Sequence, residues 1–198
     1  MKGDLRKDQI MMCAIKLFAK KGYYNTHVED ILPEIRIGKG TFYRYFKSKE
    51  ELYIAILVRY LDEWEKSVES TLVTMSKKDV IGYYQALIAR SLQFFRDHPD
   101  LCNIFLRIGP SVNELHNKYV DVFEAKMVQY VIDDLKKGID AGYVRRDIDI
   151  ELMANIMLGA HLRVVYNYFV LKAKHKNLPD LEHISEQFFA LIYKGLHP

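Results

Sequence analysis

The sequence predicts an all-α protein of about nine helices, and three observations support this prediction. Apolar residues recur every three or four positions over most of the chain, as in the run from Ile10 to Phe18. Several of these runs stop at glycine or proline, the first of them at Gly22. From Glu50 to the C-terminus no segment alternates apolar and polar residues as a half-buried strand would. The first run therefore predicts helix one, ending at Gly22.

A second, short helix is predicted over residues 26–36. Thr26 with Glu29 three residues later has the spacing of a capping box, and apolar residues from Val28 to Ile35 give one buried stripe. Pro33 lacks a backbone donor and its ring clashes with the preceding turn. We therefore expect this helix to be short, kinked or ended early.

The segment from Gly38 to Leu52 predicts a third helix with two different faces. Phe42 and Phe46 are spaced i to i+4, so both lie on one side, where they can anchor the helix to a core. The free side carries hydroxyl and guanidinium groups, which suit a DNA groove. Ser48 then caps the next helix, whose first turn is acidic as the helix dipole favours.

The remaining helices follow from apolar periodicity and from their stop signals. Their predicted bounds are Ser48 to about Met75, Val80 to Phe95 before His98-Pro99, Leu101 to Ile108 before Gly109-Pro110, a helix capped by Ser111 and Glu114 that runs to Gly142, Leu152 to about Lys174 after the cap Asp149, and Leu181 to Leu196.

Composition and charge limit the possible classes of protein. Of 198 residues 49% are hydrophobic, yet no apolar run approaches the roughly 18–20 residues of a membrane span, and the polar N-terminus has no signal region. We therefore expect a soluble, cytoplasmic protein without membrane partners. Cys13 and Cys102 lie far apart in apolar patterns, which favours reduced thiols over a disulfide or a metal pair.

Basic charge is concentrated at the N-terminus. Residues 1–60 carry 12 Lys and Arg against 7 Asp and Glu, whereas the rest carry 17 against 19. A basic segment that coincides with the predicted anchored helix is the pattern expected for phosphate contact.

Residues about 10 to 52 resemble the DNA-binding domain of the TetR family of transcriptional regulators. The matching residues are Ala14, Leu17-Phe18, Gly22-Tyr23, Thr26, Val28, Asp30-Ile31 and the continuous stretch Lys39 to Leu52. The resemblance implies a three-helix helix-turn-helix domain over residues 1–48 and a helical ligand-binding and dimerisation domain over residues 49–198. It further implies a homodimeric repressor that binds a palindromic double-stranded operator and is released by a small apolar or aromatic effector.

Within this resemblance, the candidate DNA contacts divide into two groups. Arg can pair bidentately with guanine and Thr can contact a thymine methyl, so base edges are assigned to Lys39, Thr41 and Arg44. Phosphate contacts that set the register are assigned to Thr26, His27, Tyr43, Tyr45 and Lys49.

Two further sites are expected in the C-terminal part. The family resemblance places an apolar cavity among the aromatic-rich middle helices, with candidate lining residues Trp64, Tyr84, Phe94, Phe105, Tyr119, Phe123 and His161. The alternative is that these rings are packed core. A dimer interface is expected on the last two helices, at Ile156, Ala160, Val164, Ile184, Phe188 and Leu191; the alternative is intrachain core.

An enzyme is the competing class, and the sequence offers it little support. It contains no glycine-rich phosphate loop, no metal-ligand spacing and no nucleophile beside a plausible base, so we expect no catalysis, metal or cofactor. Gly38 to Thr41 superficially resembles a phosphate loop but lacks the upstream glycine and strand. A helical adaptor that has lost DNA binding would lack the polar residues on the free face of the third helix and beside it, whereas Thr41, Tyr43 and Lys49 are present. A ligand-independent regulator is the alternative if the cavity is filled by side chains.

Overall fold

The computed structural model describes residues 2–74, 80–106, 114–171 and 180–196, and within these ranges all regular structure is helical. The all-α prediction is confirmed, with nine α-helices in the described part of the chain. They are α1 (Lys2–Lys21), α2 (Val28–Glu34), α3 (Lys39–Tyr45), α4 (Lys49–Thr74), α5 (Val80–Asp97), α6 (Pro99–Leu106), α7 (Glu114–Asp140), α8 (Ile150–Val165) and α9 (Leu181–Leu196). The predicted cap Ser111 and the predicted helix ends at Met75, Ile108 and Lys174 lie outside the described residues.

Two left-handed residues set the turns of the N-terminal helices. α1 ends just before Gly22, whose φ of +82° is one that glycine adopts without steric cost. α2 is short, as expected, and ends one residue after Pro33. Arg36 has a φ of +52°, and the Ile37 amide bonds back to the Leu32 carbonyl, so the chain reverses tightly before α3.

The capping box at the start of α2 lies one residue later than the sequence predicted. His27 is the N-cap, and its backbone N–H donates to the Asp30 carboxylate at 2.7 Å. Thr26 is fully buried, and its hydroxyl donates to the Gly22 carbonyl at 2.8 Å. Thr26 therefore closes the preceding loop and lies one residue before the N-cap.

α4 is a continuous helix of 26 residues that leads away from α3. Its start was predicted correctly, since the Ser48 hydroxyl accepts the Glu51 amide at 3.0 Å. Along its length it buries one apolar face, from Leu52 through Trp64 to Val68. These residues belong to one continuous core that also includes the buried residues of α1, α2 and α3.

The C-terminal helices pack as neighbours around α5 and α7. α8 lies against α7, α9 lies against α5, and α6 lies against α1. The predicted cap Asp149 accepts the Leu152 amide at 3.0 Å, and α8 continues into a π-helical segment, Tyr166–Leu171. No helix in the described part of the chain is both long and apolar enough to cross a membrane.

Candidate nucleic-acid interface and enclosed cavity

α3 has the two faces that its sequence predicts. Phe42 and Phe46 are 0% and 2% exposed and hold the helix against α1 and α2. On the opposite side Lys39 and Arg44 are exposed and Tyr43 is 45% exposed. The helix therefore presents a basic and phenolic surface that is fixed from behind by two buried rings.

Local contacts orient the charged groups of this surface. The Arg44 guanidinium lies 5.1 Å from the centre of the Tyr45 ring and is 3.4 Å from its hydroxyl. Lys39 pairs with Glu29 of α2 at 2.8 Å, which raises the pKa of the lysine and lowers that of the glutamate. Because both partners are largely exposed, this pair can open at little cost when a phosphate competes for the lysine.

The structure contradicts the phosphate role predicted for the Thr26 side chain, which is buried as described above. It also gives Lys49 an internal role. The Lys49 ammonium donates to the backbone carbonyls of Tyr23 and Thr26 at 2.7 and 2.8 Å and lies 4.2 Å from the centre of the Tyr23 ring. Burial lowers the pKa of Lys49. The first turn of α4 is thereby tied to the loop between α1 and α2.

The other predicted contacts lie on the accessible surface. His27 is exposed at the start of α2, while Thr41 and Tyr45 are half-buried at the sides of α3. Lys47 is also exposed, immediately after α3, and was not among the predicted contacts. Its place in the run of basic residues after Phe46 was the signal that could have identified it.

A partly open cavity of about 560 Å³ lies between α4, α5, α7, α8 and α9. This volume is within the range of small-molecule sites, and most of the lining is aliphatic or aromatic. At one end the Tyr83 hydroxyl donates to the Asp134 carboxylate at 3.0 Å, and the Tyr84 hydroxyl donates to the Asp134 backbone carbonyl at 3.2 Å. Burial raises the pKa of Asp134 and raises that of Tyr84 to about 12.

A second polar group lies elsewhere in the cavity wall. Ser91 of α5 is 2.8 Å from Nε2 of His161 on α8, and the Trp64 indole of α4 donates to the Ser91 hydroxyl at 3.4 Å. Burial lowers the pKa of His161 to about 4, so the imidazole is neutral at pH 7. His161 is therefore part of the buried cavity wall.

Three of the predicted cavity residues line the cavity: Trp64, Tyr84 and His161. Two predictions are wrong. Phe94 packs against Tyr60 and His98, and Phe123 lies behind the Trp64 ring, with 6.1 Å between the ring centres. The side chains of the remaining two, Phe105 and Tyr119, lie outside the described residues.

The sequence reasoning missed Ser91 and Asp134, although helical spacing carried a signal. Ser91 interrupts the apolar stripe of α5 three residues after Ile88, and Asp134 interrupts that of α7 three residues after Val131. A single polar residue at a core position is either satisfied by a partner or faces a polar site. Both residues belong to the cavity lining.

The last two helices expose part of the predicted interface. Ile156 and Leu191 are 54% and 74% exposed, and Ala160 is exposed beside Ile156 on α8. The assignment of the other residues to an interface is corrected by their intrachain contacts: Ile184 is buried in the core, and Phe188 lines the cavity with its ring against His161. Val164 is half-buried against the core.

The described residues bring no three His, Cys, Asp or Glu side chains together in a metal-binding arrangement. Cys13 and Cys102 are both free thiols. The features that remain are a short helix held on two buried rings, a preceding helix joined to it by a tight turn, and a helical C-terminal part. These define the class: a helix-turn-helix transcriptional regulator.

Comparison with known proteins gives the family. Residues 10–56 match the family of bacterial regulatory proteins described as the tetR family. The HTH-type transcriptional regulator YhgD of Bacillus subtilis (strain 168) is 27% identical over 191 residues, which is 96% of both proteins. Residues 10–56 are thus a TetR-family DNA-binding domain, and the chain is similar over nearly its whole length to an HTH-type transcriptional regulator.

Solved structures show the same fold over nearly the whole chain. A TetR-family transcriptional regulator from Syntrophomonas wolfei superposes with a TM-score of 0.78 at 24% identity, covering 96% of this chain and 93% of the other. The regulator FadR from Bacillus subtilis, in complex with stearoyl-CoA, superposes with a TM-score of 0.80 at 20% identity, covering 96% and 98%.

Proposed function

We propose that this protein is a homodimeric repressor in the cytoplasm. Two copies bind one double-stranded operator with two-fold related half-sites, and a small, mostly apolar effector releases them. Residues 1–48 form the DNA-binding unit in this proposal, and residues 49–198 form the unit for effector binding and dimerisation. The direct base contacts are assigned to Lys39, Thr41 and Arg44, and the register-setting contacts to Tyr43, Tyr45 and His27.

One observation carries the proposal: a single helix connects the DNA-binding domain with the cavity. Lys49 in the first turn of α4 holds two carbonyls of the α1–α2 loop, and Trp64 on the same helix lines the cavity. The two positions are 15 residues apart, which corresponds to about 22 Å along a helix. A ligand that displaces the wall at Trp64 therefore acts on the helix that fixes the position of α2 and α3.

Exposed apolar residues support the dimer. Ile156 of α8 and Leu191 of α9 are 54% and 74% exposed, and large apolar side chains in water are the kind of surface that a protein–protein contact covers. Gly159 and Ala160 give the surface of α8 beside Ile156 small side chains, and a Cβ added at Gly159 would meet no atom within 4 Å. Two such helices from each copy can form a four-helix contact about a two-fold axis.

The composition of the cavity supports an apolar effector. Its lining combines aromatic and aliphatic residues with a few fixed polar groups, which is typical of small-molecule sites. The structural relative FadR from Bacillus subtilis was solved in complex with stearoyl-CoA, a ligand that carries a long apolar chain.

Selection of duplexes from a random pool tests the operator. We expect the recovered sequences to be palindromic, with half-sites about one helical turn apart or slightly more, and the affinity to fall steeply with salt. Recovery of unrelated duplexes that bind equally well would refute sequence-specific regulation.

Titration of a panel of apolar compounds with and without the recovered duplex tests the effector. Coupling must be reciprocal, so an effector that weakens DNA binding must itself bind more weakly in the presence of DNA, by the same factor. If compounds fill the cavity but leave DNA affinity unchanged, the protein is a ligand-independent regulator.

A further inference from the structure

Three side chains from three helices form a small hydrogen-bonded group in the cavity wall. They are Trp64, Ser91 and His161, which are 4%, 8% and 8% exposed. Two contacts join them: the indole N–H donates to the Ser91 hydroxyl at 3.4 Å, and that hydroxyl lies 2.8 Å from His161 Nε2. We call this set the donor group.

A count of hydrogens shows that the donor group is not closed. The indole has one N–H, the serine one O–H, and a neutral imidazole one N–H, which makes three donor hydrogens for two hydrogen bonds. If Ser91 donates to His161, the imidazole N–H is left over. If His161 donates to Ser91, the serine O–H is left over. Among the described residues these three side chains have no other hydrogen-bond partner, so one donor stays unsatisfied in either tautomer.

Within the part of the chain that the structure describes, the surroundings of the donor group add no further hydrogen bond to it. The His161 ring lies beside Phe95 and Phe188, with centroid distances of 6.1 and 5.8 Å, and all three members of the group line the cavity. A buried donor without a partner costs free energy, and buried polar groups in native proteins are therefore nearly always paired. A molecule that enters the cavity with an oxygen acceptor removes this cost.

The charges in the cavity restrict what kind of acceptor fits. Lys126 pairs with Glu65 at 2.9 Å, and Lys137 lies 3.8 Å from Asp134, so each lining lysine already faces a carboxylate. An anionic ligand would therefore find no uncompensated cation in the described lining. A cationic ligand would present further donors to the donor group, which already has a donor in excess. The carboxylates of the lining already have partners in the described residues: Glu65 pairs with Lys126, Asp134 accepts from Tyr83, and Asp133 accepts from Gln129.

We propose that the donor group of Trp64, Ser91 and His161 is the anchor for an uncharged, mostly apolar effector that carries one hydrogen-bond acceptor, such as a ketone, ester or ether oxygen. The inference rests on the proposed effector function and names the ligand class for that cavity. The acceptor oxygen takes the spare hydrogen of the group, and the apolar body of the ligand occupies the rest of the cavity.

A pair of probes with the same shape tests the anchor. Decan-2-one carries a carbonyl where 2-methyldec-1-ene carries a methylene, so the two differ in the acceptor alone. Any one substitution in the donor group leaves at least one donor without an acceptor, so the test requires the triple variant Trp64→Phe, Ser91→Ala, His161→Phe. Replacing all partners of a network by apolar groups of similar shape is nearly neutral for stability, and thermal melting checks this.

Calorimetric titration without DNA gives the affinity of each probe for the wild-type protein and the triple variant. We expect the ketone to lose about 2- to 12-fold in affinity relative to the alkene in the triple variant. Tyr84→Phe is the matched control, because it removes a cavity-lining hydroxyl that is seven residues before Ser91, about 10 Å along α5. In this control the ratio of the two affinities should equal that of the wild-type protein.

The infrared carbonyl stretch of decan-2-one bound to the wild-type protein gives a second measure that does not depend on any variant. A hydrogen-bonded carbonyl absorbs at lower wavenumber than the same ketone in a hydrocarbon solvent. An unshifted stretch, or an affinity ratio that is equal in the wild-type protein and the triple variant, overturns the anchor.

Charged probes of the same length complete the test. Decanoate and decylammonium should bind more weakly than the ketone, and tighter binding of either one overturns the uncharged class. If the probes bind without any preference for the carbonyl, the anchor fails and the proposed effector function stands. If no probe in the series binds, both the anchor and the proposed effector function fail.

Discussion

Replacing Lys49 by methionine should destabilise the protein in the absence of DNA. The ammonium group makes hydrogen bonds of 2.7 and 2.8 Å to two backbone carbonyls and lies over the Tyr23 ring. A hydrogen bond from a charged donor is worth roughly 1.5 to 3 kcal/mol, but water can replace part of this at a half-buried site. We therefore expect Lys49→Met to lower the free energy of unfolding by about 2 to 4 kcal/mol. For a chain of this size that corresponds to a fall in melting temperature of roughly 4 to 16 °C.

Differential scanning calorimetry of the DNA-free protein measures this effect, and Lys47→Met is the matched control. Lys47 is exposed, and its replacement removes the same charge from the same region. The control should melt within about 1 °C of the wild-type protein, because exposed side chains contribute little to stability. If Lys49 served chiefly to contact phosphate, both variants would melt like the wild-type protein and weaken DNA binding to a similar degree. That result would refute the internal role of Lys49.

Four further predictions concern the buried face of α3, its exposed face, the proposed dimer interface and the cavity. Phe42→Ala should lower the free energy of unfolding by roughly 3 to 5 kcal/mol, as measured by denaturant titration, because the ring is fully buried. Arg44→Ala should reduce the difference in affinity between the operator and mutated operators in binding assays. Tyr43→Phe should instead lower the affinity for all DNA sequences by similar factors. Ile156→Glu should yield monomers in sedimentation experiments, and a wild-type monomer at micromolar concentration would contradict the interface. Because burial lowers the pKa of His161 to about 4, its contribution to stability is complete above pH 6.5 and should be lost as the pH falls from 6.5 to 4, by roughly 3 kcal/mol in total. This pH dependence should be absent from His161→Phe.

Local signals in the sequence were sufficient to predict most helices. The cap Ser48, the cap Asp149 and the stop at Gly22 act through neighbouring backbone groups, so a sequence contains all that is needed to recognise them. The capping box of α2 was misplaced by one residue: Thr26 closes the preceding loop through the Gly22 carbonyl, and the helix begins one residue later than the sequence predicted. Two acidic residues, Glu29 and Asp30, stand side by side in the sequence, and loop geometry determines that Asp30 accepts the backbone N–H of the N-cap.

The cavity could be predicted only in part, because periodicity identifies an inward face but not the space in front of it. Trp64 and Phe123 both lie on inward faces, and packing places the first at the cavity and the second behind it. The same limit applies to α9, where Phe188 and Leu191 are both apolar. Only the positions of α5 and α8 determine that Phe188 turns inward and that Leu191 is left in water.

Because α4 is continuous, the number of residues between Lys49 and Trp64 fixes how their side chains are rotated relative to each other. A helix turns by about 100° per residue, so the 15 steps from Lys49 to Trp64 leave the two side chains roughly 60° apart around the axis. Both orientations are needed at once, because one side chain holds the α1–α2 loop and the other lines the cavity. Inserting a single residue between them would lengthen the helix by only about 1.5 Å but would rotate the indole by more than a quarter turn relative to the loop. The number of residues between Lys49 and Trp64 is therefore constrained by the rotation of the helix far more than by its length. Single insertions or deletions here should be tolerated less well than substitutions on the exposed side of the helix.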